Sequence, residues 1–172
     1  RGRARDAQWG GAVRVKTMLG SIALPNPVMP ASGTFGFGYE MAKWYDINCL
    51  GAIALKGTTL SARYGNPLPR IAECDCGLLN AIGLQNPGVD AVIAEELPRL
   101  NAVYRGVKLA NISGFSLEEY AETAARLDGA DVDILEINIS CPNVKEGGIA
   151  FGQDPKCADQ ITKAVKKVAK QP

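Results

Sequence analysis

Residues Val132–Ser140 read VDILEINIS, and the chain continues Cys141-Pro142-Asn143-Val144-Lys145. Val132, Ile134, Leu135, Ile137 and Ile139 make a short apolar run rich in β-branched residues, which reads as a strand. The strand ends in an amide, a hydroxyl, a thiol and a second amide, and Pro142 stiffens the turn that carries them. Working outward, GVKLANIS (Gly106–Ser113) and GAIALKG (Gly51–Gly57) are runs of the same kind, and a further buried strand is read near Pro27–Ala31. Between and after the strands lie a short helix within Gly36–Asp46 and longer helical patterns at Asp90–Asn101, Ser116–Asp128 and Asp154–Lys170. Ser116 with Glu119 three positions on is a capping box. Asp154, Pro155 and the closing lysines agree with the dipole of the last helix. A hairpin, Val13–Met18 with Ser21–Leu24, precedes this strand–helix alternation. Buried strands alternating with amphipathic helices imply a parallel sheet. Four βα units fit a small open sheet or half of an eight-fold barrel. Length alone leans to the open sheet, because 172 residues fall short of a barrel's usual length of about 250.

The bulk composition narrows the function classes. The chain is 47% hydrophobic and 22% charged, as a globular protein is. Its 19 basic and 18 acidic residues leave a net charge of +1, so nothing asks for nucleic acid or an anionic membrane. No apolar run is long enough to span a bilayer. Residues 1–12, rich in Arg, Gly and Ala, read as a disordered lead-in without the apolar stretch of a signal peptide. Five cysteines at irregular spacings argue against a disulfide framework and for a reducing, cytoplasmic compartment. Cys74-Asp75-Cys76 is the one close pair; with no histidine in the chain a zinc site is not expected, and the pair reads as two thiols in a loop or hairpin. The chain starts without Met and stops directly after a helical run, so it reads as part of a longer product.

In either parallel architecture, ligands sit at the carboxyl ends of the strands. Those ends carry Ser32-Gly33-Thr34, then Lys56-Gly57-Thr58-Thr59, then Asn111-Ile112-Ser113-Gly114, then Asn138, Ser140, Cys141 and Asn143. Each has an ordinary structural reading: a surface lysine, turn-forming asparagines, a plain Ser-Gly turn, a buried thiol. Taken together on one face, they describe a polar, mainly neutral pocket with one cation. Asparagine both donates and accepts, so it matches the edge of a planar heterocycle bearing carbonyls and ring N–H groups. Lysine pairs with a carboxylate or an anionic ring. A Ser-His-Asp hydrolase is excluded by the lack of histidine in this chain, and metal binding is disfavoured because these loops lack a cluster of Asp, Glu and His. The long Gly-, Pro- and Asn-rich stretch Thr58–Pro87 reads as a functional loop. Within it, NAIGLQN (Asn80–Asn86) reads as a packed loop or as a backbone cradle that Gly83 opens to a ligand.

Four motifs, NPVMPASGTFGFGYE (Asn26–Glu40), RYGNPLPR (Arg63–Arg70), LLNAIGLQNPG (Leu78–Gly88) and INISCPNVKEGGIAFG (Ile137–Gly152), closely resemble the class 1B dihydroorotate dehydrogenase family. The resemblance runs from about Val13 to the end of the chain. It implies a TIM (β/α)8 barrel rather than an open sheet, with residues 13–172 supplying the N-terminal half: a hairpin and roughly the first four βα units. It implies FMN as cofactor and oxidation of dihydroorotate to orotate, with Cys141 as the base that takes a proton from C5. Lys56, Asn80, Ala81, Ile82, Gly83, Leu84, Asn138 and Asn143 are then expected at the substrate. Ser32, Gly33, Lys56, Gly57, Asn111 and Asn138 are expected at FMN. The family's partner is a subunit with FAD and a 2Fe–2S cluster that reduces NAD, built on a homodimeric core in a heterotetramer. Dihydropyrimidine dehydrogenase-like barrels share the cysteine loop and are the alternative, as is an inactive fragment. A thiol with an ordinary pKa of about 8.5 is only a few per cent thiolate at pH 7, so its surroundings must set its strength as a base.

Overall fold

A computed structural model describes residues 15–140 and 149–172. The lead-in over residues 1–12, Val13 and Arg14 of the predicted hairpin, and Cys141 and Asn143 of the predicted site lie outside the described residues.

The chain opens on a hairpin, β1 (Thr17–Leu19) against β2 (Ile22–Leu24), with Leu19 paired to Ile22. Gly20 makes the turn at φ +59°, a conformation that favours glycine and matches the twist of a tight hairpin. No strand forms over Pro27–Ala31. Pro25, Pro27 and Pro30 remove the N–H donors a ladder needs, and the segment is tied toward β3 by Gly51 N–H donating to Val28 O at 2.8 Å. The short helix expected within Gly36–Asp46 is one 3-10 turn, Met41–Lys43. The next strand is β3 (Ala52–Ala54). The long stretch after it is not all loop: β4 (Ile71–Cys74) and β5 (Gly77–Asn80) form an exposed antiparallel hairpin. A helical segment comes next, α1 (Val89–Ala91) passing through a π turn (Val92–Glu96) into α2 (Leu97–Asn101). Then come β6 (Val107–Ile112), α3 (Leu117–Leu127), β7 (Ile134–Ile137), α4 (Ile149–Gln153) and α5 (Pro155–Val168). Both long helices are capped as their sequences require. Ser116 Oγ accepts from Glu119 N–H at 3.2 Å while Glu119 Oε2 accepts from Phe115 N–H at 2.7 Å. Asp154 Oδ1 accepts from Lys156 N–H at 2.9 Å.

β3, β6 and β7 form a parallel sheet in that order, with Ala54 opposite Leu109, Leu109 opposite Ile134 and Asn111 opposite Glu136. Successive side chains of a strand point to opposite faces, and both faces are covered. On one, Ile53, Leu55, Ala110, Ile112 and Leu135 pack with Val89, Val92, Leu100, Tyr120, Ala124, Leu127, Ile161 and Val165 from the helices. On the other, Ala52, Ala54, Leu109 and Ile134 meet Leu24 and Ile22 of the N-terminal hairpin. Each row on this second face changes character along its strand. It runs Ala52, Ala54, Lys56; then Val107, Leu109, Asn111; then Ile134, Glu136, Asn138. The apolar ends make a core plugged by the hairpin, and the carboxyl ends present polar groups.

Candidate functional site

At those carboxyl ends a cavity of about 340 Å³ opens. Its walls carry Ser32 and Gly33 from the segment before β3, Lys56 and Gly57 after β3, and Asn111 on β6. Glu136, Ile137, Asn138 and Ser140 line it from β7 and the residues after it, and Asn80, Ile82, Gly83 and Leu84 from the end of the exposed hairpin and the loop beyond. The structure thus brings together nearly all the described residues expected at substrate or FMN. Ala81 is the exception. It does not line the cavity, and its N–H donates to Arg70 O at 2.9 Å, fixing the loop beside it.

The loop 82–84 is held in an unusual backbone path. Gly83 has φ +76°, and a Cβ there would come within 2.6 Å of Asn66. Leu84 has φ +59°, the one non-glycine residue in that region among the described residues. Such a conformation costs an L-residue about 1–2 kcal/mol and persists only where its surroundings fix it. Asn86 does the fixing. Its Nδ2 donates to Leu84 O at 2.9 Å, and its Oδ1 accepts from Thr59 N–H at 3.1 Å and Gly88 N–H at 2.9 Å. The loop is therefore tied to the segment just after Lys56 and Gly57.

Gly57 is a close-approach glycine. A Cβ on it would lie 2.8 Å from Asn111 Oδ1 and 3.0 Å from Leu84 Cδ1. Asn111 in turn is buried, and its Nδ2 donates to Glu136 Oε2 at 3.0 Å. Ser32 Oγ donates to the other carboxylate oxygen at 3.2 Å. Asn138 Nδ2 donates to Asn111 Oδ1 at 3.2 Å, and Asn138 Oδ1 accepts from Ser140 N–H at 3.2 Å. From behind, the buried Tyr120 hydroxyl donates to Asn138 O at 2.6 Å, and Asn138 N–H donates to Ile112 O at 2.8 Å. Lys56 makes no ion pair with the described residues.

Glu136 escapes a reading of the sequence that considers only the residues after each strand. Such a reading finds a pocket with a single cation, whereas the cavity also holds a carboxylate. The signal was available: in VDILEINIS the period-2 alternation puts Ile134, Glu136 and Asn138 on one face. Among the described residues no group of three or more His, Cys, Asp or Glu is placed to hold a metal ion. No helix among them is long and apolar enough to cross a membrane.

A parallel βα sheet whose strand ends open into a polar cavity of small-molecule size has the site plan of an α/β enzyme. The profile of one such family, described as dihydroorotate dehydrogenase, matches residues 14–172, and the chain belongs to that family. It is 58% identical over 160 residues to the catalytic subunit of dihydroorotate dehydrogenase B (NAD(+)) of Anoxybacillus flavithermus, covering 92% of this chain and 51% of the relative. The subunit of the same name from Enterococcus faecalis is 55% identical over 152 residues, covering 88% of this chain and 49% of the relative. The chain spans about half the length of the curated relatives it matches. A crystal structure of DHODH in complex with ferulenol from Eimeria tenella superposes with a TM-score of 0.71. At 23% identity, over 90% of this chain and 43% of that one, the likeness speaks to fold alone. It places the sheet in the TIM-barrel class.

Proposed function

We propose that residues 13–172 form the N-terminal half of a dihydroorotate dehydrogenase barrel, roughly its first four βα units, and that the complete protein oxidises dihydroorotate to orotate in pyrimidine biosynthesis. One observation carries the reading: a single cavity at the strand ends gathers Ser32, Gly33, Lys56, Gly57, Asn80, Ile82, Gly83, Leu84, Asn111 and Asn138. The cavity also suits FMN. Gly57 lets the backbone lie close against Asn111 and Leu84 on the cavity wall, and the buried Ser113 hydroxyl near it has no partner among the described residues. Amide groups of both polarities line the wall, as a ring with carbonyl and N–H edges requires. Ser32, Gly33, Lys56, Gly57, Asn111 and Asn138 would hold FMN, which when bound supplies a two-electron hydride acceptor.

The chain's own residues do the rest. Lys56 offers the substrate carboxylate a cation. Asn80, the backbone of Ile82–Leu84, Asn138 and Asn143 orient the ring. Cys141, one residue beyond Ser140, takes the C5 proton as general base; no histidine is needed, because the group serves carbon acidity rather than acyl transfer. Electrons pass on to NAD through a partner subunit bearing FAD and a 2Fe–2S cluster, on a homodimeric core in the cytoplasm. Cys141→Ala in the full-length gene product tests the reading: turnover of dihydroorotate falls by orders of magnitude while bound flavin is retained. A variant with undiminished dihydroorotate turnover, or a wild-type protein that turns over uracil and not orotate, would sink it.

A further inference from the structure

The hydrogen bonds around the cavity run in one direction, set by a carboxylate at one end and a backbone N–H at the other. An ionised carboxylate only accepts. Glu136 Oε2 therefore turns the Nδ2 of Asn111 toward itself, at 3.0 Å. That leaves Asn111 Oδ1 facing Asn138, which must present its Nδ2, at 3.2 Å. Asn138 is then left with Oδ1 to accept from Ser140, and a backbone N–H can only donate, at 3.2 Å. The chain is fixed at both ends, by an obligatory acceptor and an obligatory donor. Ser32 Oγ closes the near end by donating to Glu136 Oε1 at 3.2 Å. A carboxamide flipped anywhere along this line would set donor against donor or acceptor against acceptor.

We propose that Glu136 is a positioning residue for the ligand site: its carboxylate fixes which face each of Asn111 and Asn138 turns to a bound ring, and through Asn138 it holds Ser140, the residue before Cys141 in sequence. This rests on the cavity being the FMN and orotate site. In this direction each asparagine spends one N–H on its neighbour and keeps the other for a ligand. A merely structural carboxylate would hold Ser32 and Asn111 in place without caring which way the amides point.

The distinction is testable because glutamine can stand in for Glu136 in only one orientation. In Glu136→Gln, Oε1 accepts from Asn111 and Nε2 donates to Ser32 Oγ, since a hydroxyl accepts as readily as it donates. The direction survives without the charge. In Glu136→Ala only the Ser140 N–H at the far end is left to set it. Removing Ser32 Oγ from the glutamine variant strands Nε2, which then competes for Asn111 Oδ1 and works against the direction that the Ser140 N–H sets. The experiment is FMN titration of the apo form of the full-length protein, monitored by flavin fluorescence, with thermal melts of each variant. Glu136→Ala is expected to raise the FMN Kd by roughly tenfold or more, and Glu136→Gln to recover most of that loss. Glu136→Gln with Ser32→Ala is expected to lose more than the product of the two single effects. A Glu136→Ala protein that binds FMN like wild type overturns the proposal, as does a Glu136→Gln protein as weak as Glu136→Ala. If Glu136→Ala does not fold, the double-variant comparison decides, and multiplicative effects there overturn it. A wild-type full-length protein that binds no FMN fails the functional reading instead, and the proposal with it.

Discussion

Asn86→Ala is the substitution that most directly tests how the ligand loop is held. Asn86 is 5% exposed and lies between neighbours that are themselves buried, Thr59 at 3% and Leu84 at 9%. Truncating its amide orphans three backbone groups at once: Thr59 N–H, Gly88 N–H and Leu84 C=O. Thr59 Oγ1 also loses a partner, but it keeps its bond to Ser61 O at 2.6 Å. An orphaned buried group costs about 1–3 kcal/mol. Three of them sum to roughly 3–9 kcal/mol, and relaxation with partial access of water brings the expected loss to the lower part, about 3–5 kcal/mol. That lies well above the typical cost of about 1 kcal/mol for a point substitution. Part of the loss is specific to the site: without the Asn86 amide, Leu84 loses the bond that holds it at φ +59°, and the residue falls back to an ordinary conformation. The variant is therefore expected to lose ligand affinity as well as stability. Urea unfolding of the full-length gene product gives the first quantity, and a flavin titration the second. A loss under about 1 kcal/mol with unchanged flavin affinity would refute the reasoning, since buried backbone groups would then tolerate losing their partners.

Two further substitutions separate packing from chemistry. Gly57→Ala adds a Cβ 2.8 Å from Asn111 Oδ1 and 3.0 Å from Leu84 Cδ1, and Asn111 cannot yield because Glu136 and Asn138 hold both ends of its amide. Overpacking of this kind costs about 1–3 kcal/mol, so a weaker flavin titration and a lower unfolding midpoint are expected; wild-type values for both would contradict the crowding. Tyr104, 1% exposed, has its phenol pushed up to about 12 from an ordinary 10.0, by burial first and then by the charge of Asp133. The folded state resists phenolate formation, so its stabilisation is complete below pH 10.0 and is lost as pH rises toward about 12. Tyr104→Phe should flatten the fall of the unfolding midpoint over that range, and an unchanged alkaline slope would rule this out.

The parallel sheet was legible because its strands announce themselves twice, by β-branched apolar runs and by polar residues stacked at their ends. Lys56, Gly57, Asn111 and Asn138 could be nominated from the strand-end rule alone, and the cavity gathers all four. The elements that escaped lack one of those signals. The hairpin alternative at Cys74–Cys76 marked the turn, but β4 and β5 are exposed on every residue, so their extents carry no buried stripe to reveal a period. The π turn within the helix leaves the apolar pattern of Asp90–Asn101 nearly unchanged, since one wide turn shifts the face by a single residue. Pro27–Ala31 has apolar residues without the donors to pair them. Leu84 is the hardest case. Nothing in NAIGLQN says that its leucine, rather than either neighbour, takes positive φ after Gly83; the cause lies in the side chain of Asn86, two residues on.

The inner rows of the sheet explain why one short sequence carries both fold and site. Ala54, Leu109 and Ile134 lie in register as one apolar layer, and Asn111 and Glu136 lie in register as the next. Two residues of strand, about 6.6 Å, separate them. Below that boundary burial of apolar surface acts without direction, and volume is the main constraint. Above it every group is directional, and Glu136, Asn111, Asn138 and Ser140 constrain each other's orientation. Because the side-chain period is 2, a slip of one residue in β7 would turn Glu136 and Asn138 into the helix-packed core and bring Leu135 to the cavity face. Burying that carboxylate without its partners would cost far more than an apolar mismatch. The polar layer therefore selects the register in which the site exists, and it contributes to the specificity of the fold as well as to whatever ligand the cavity takes.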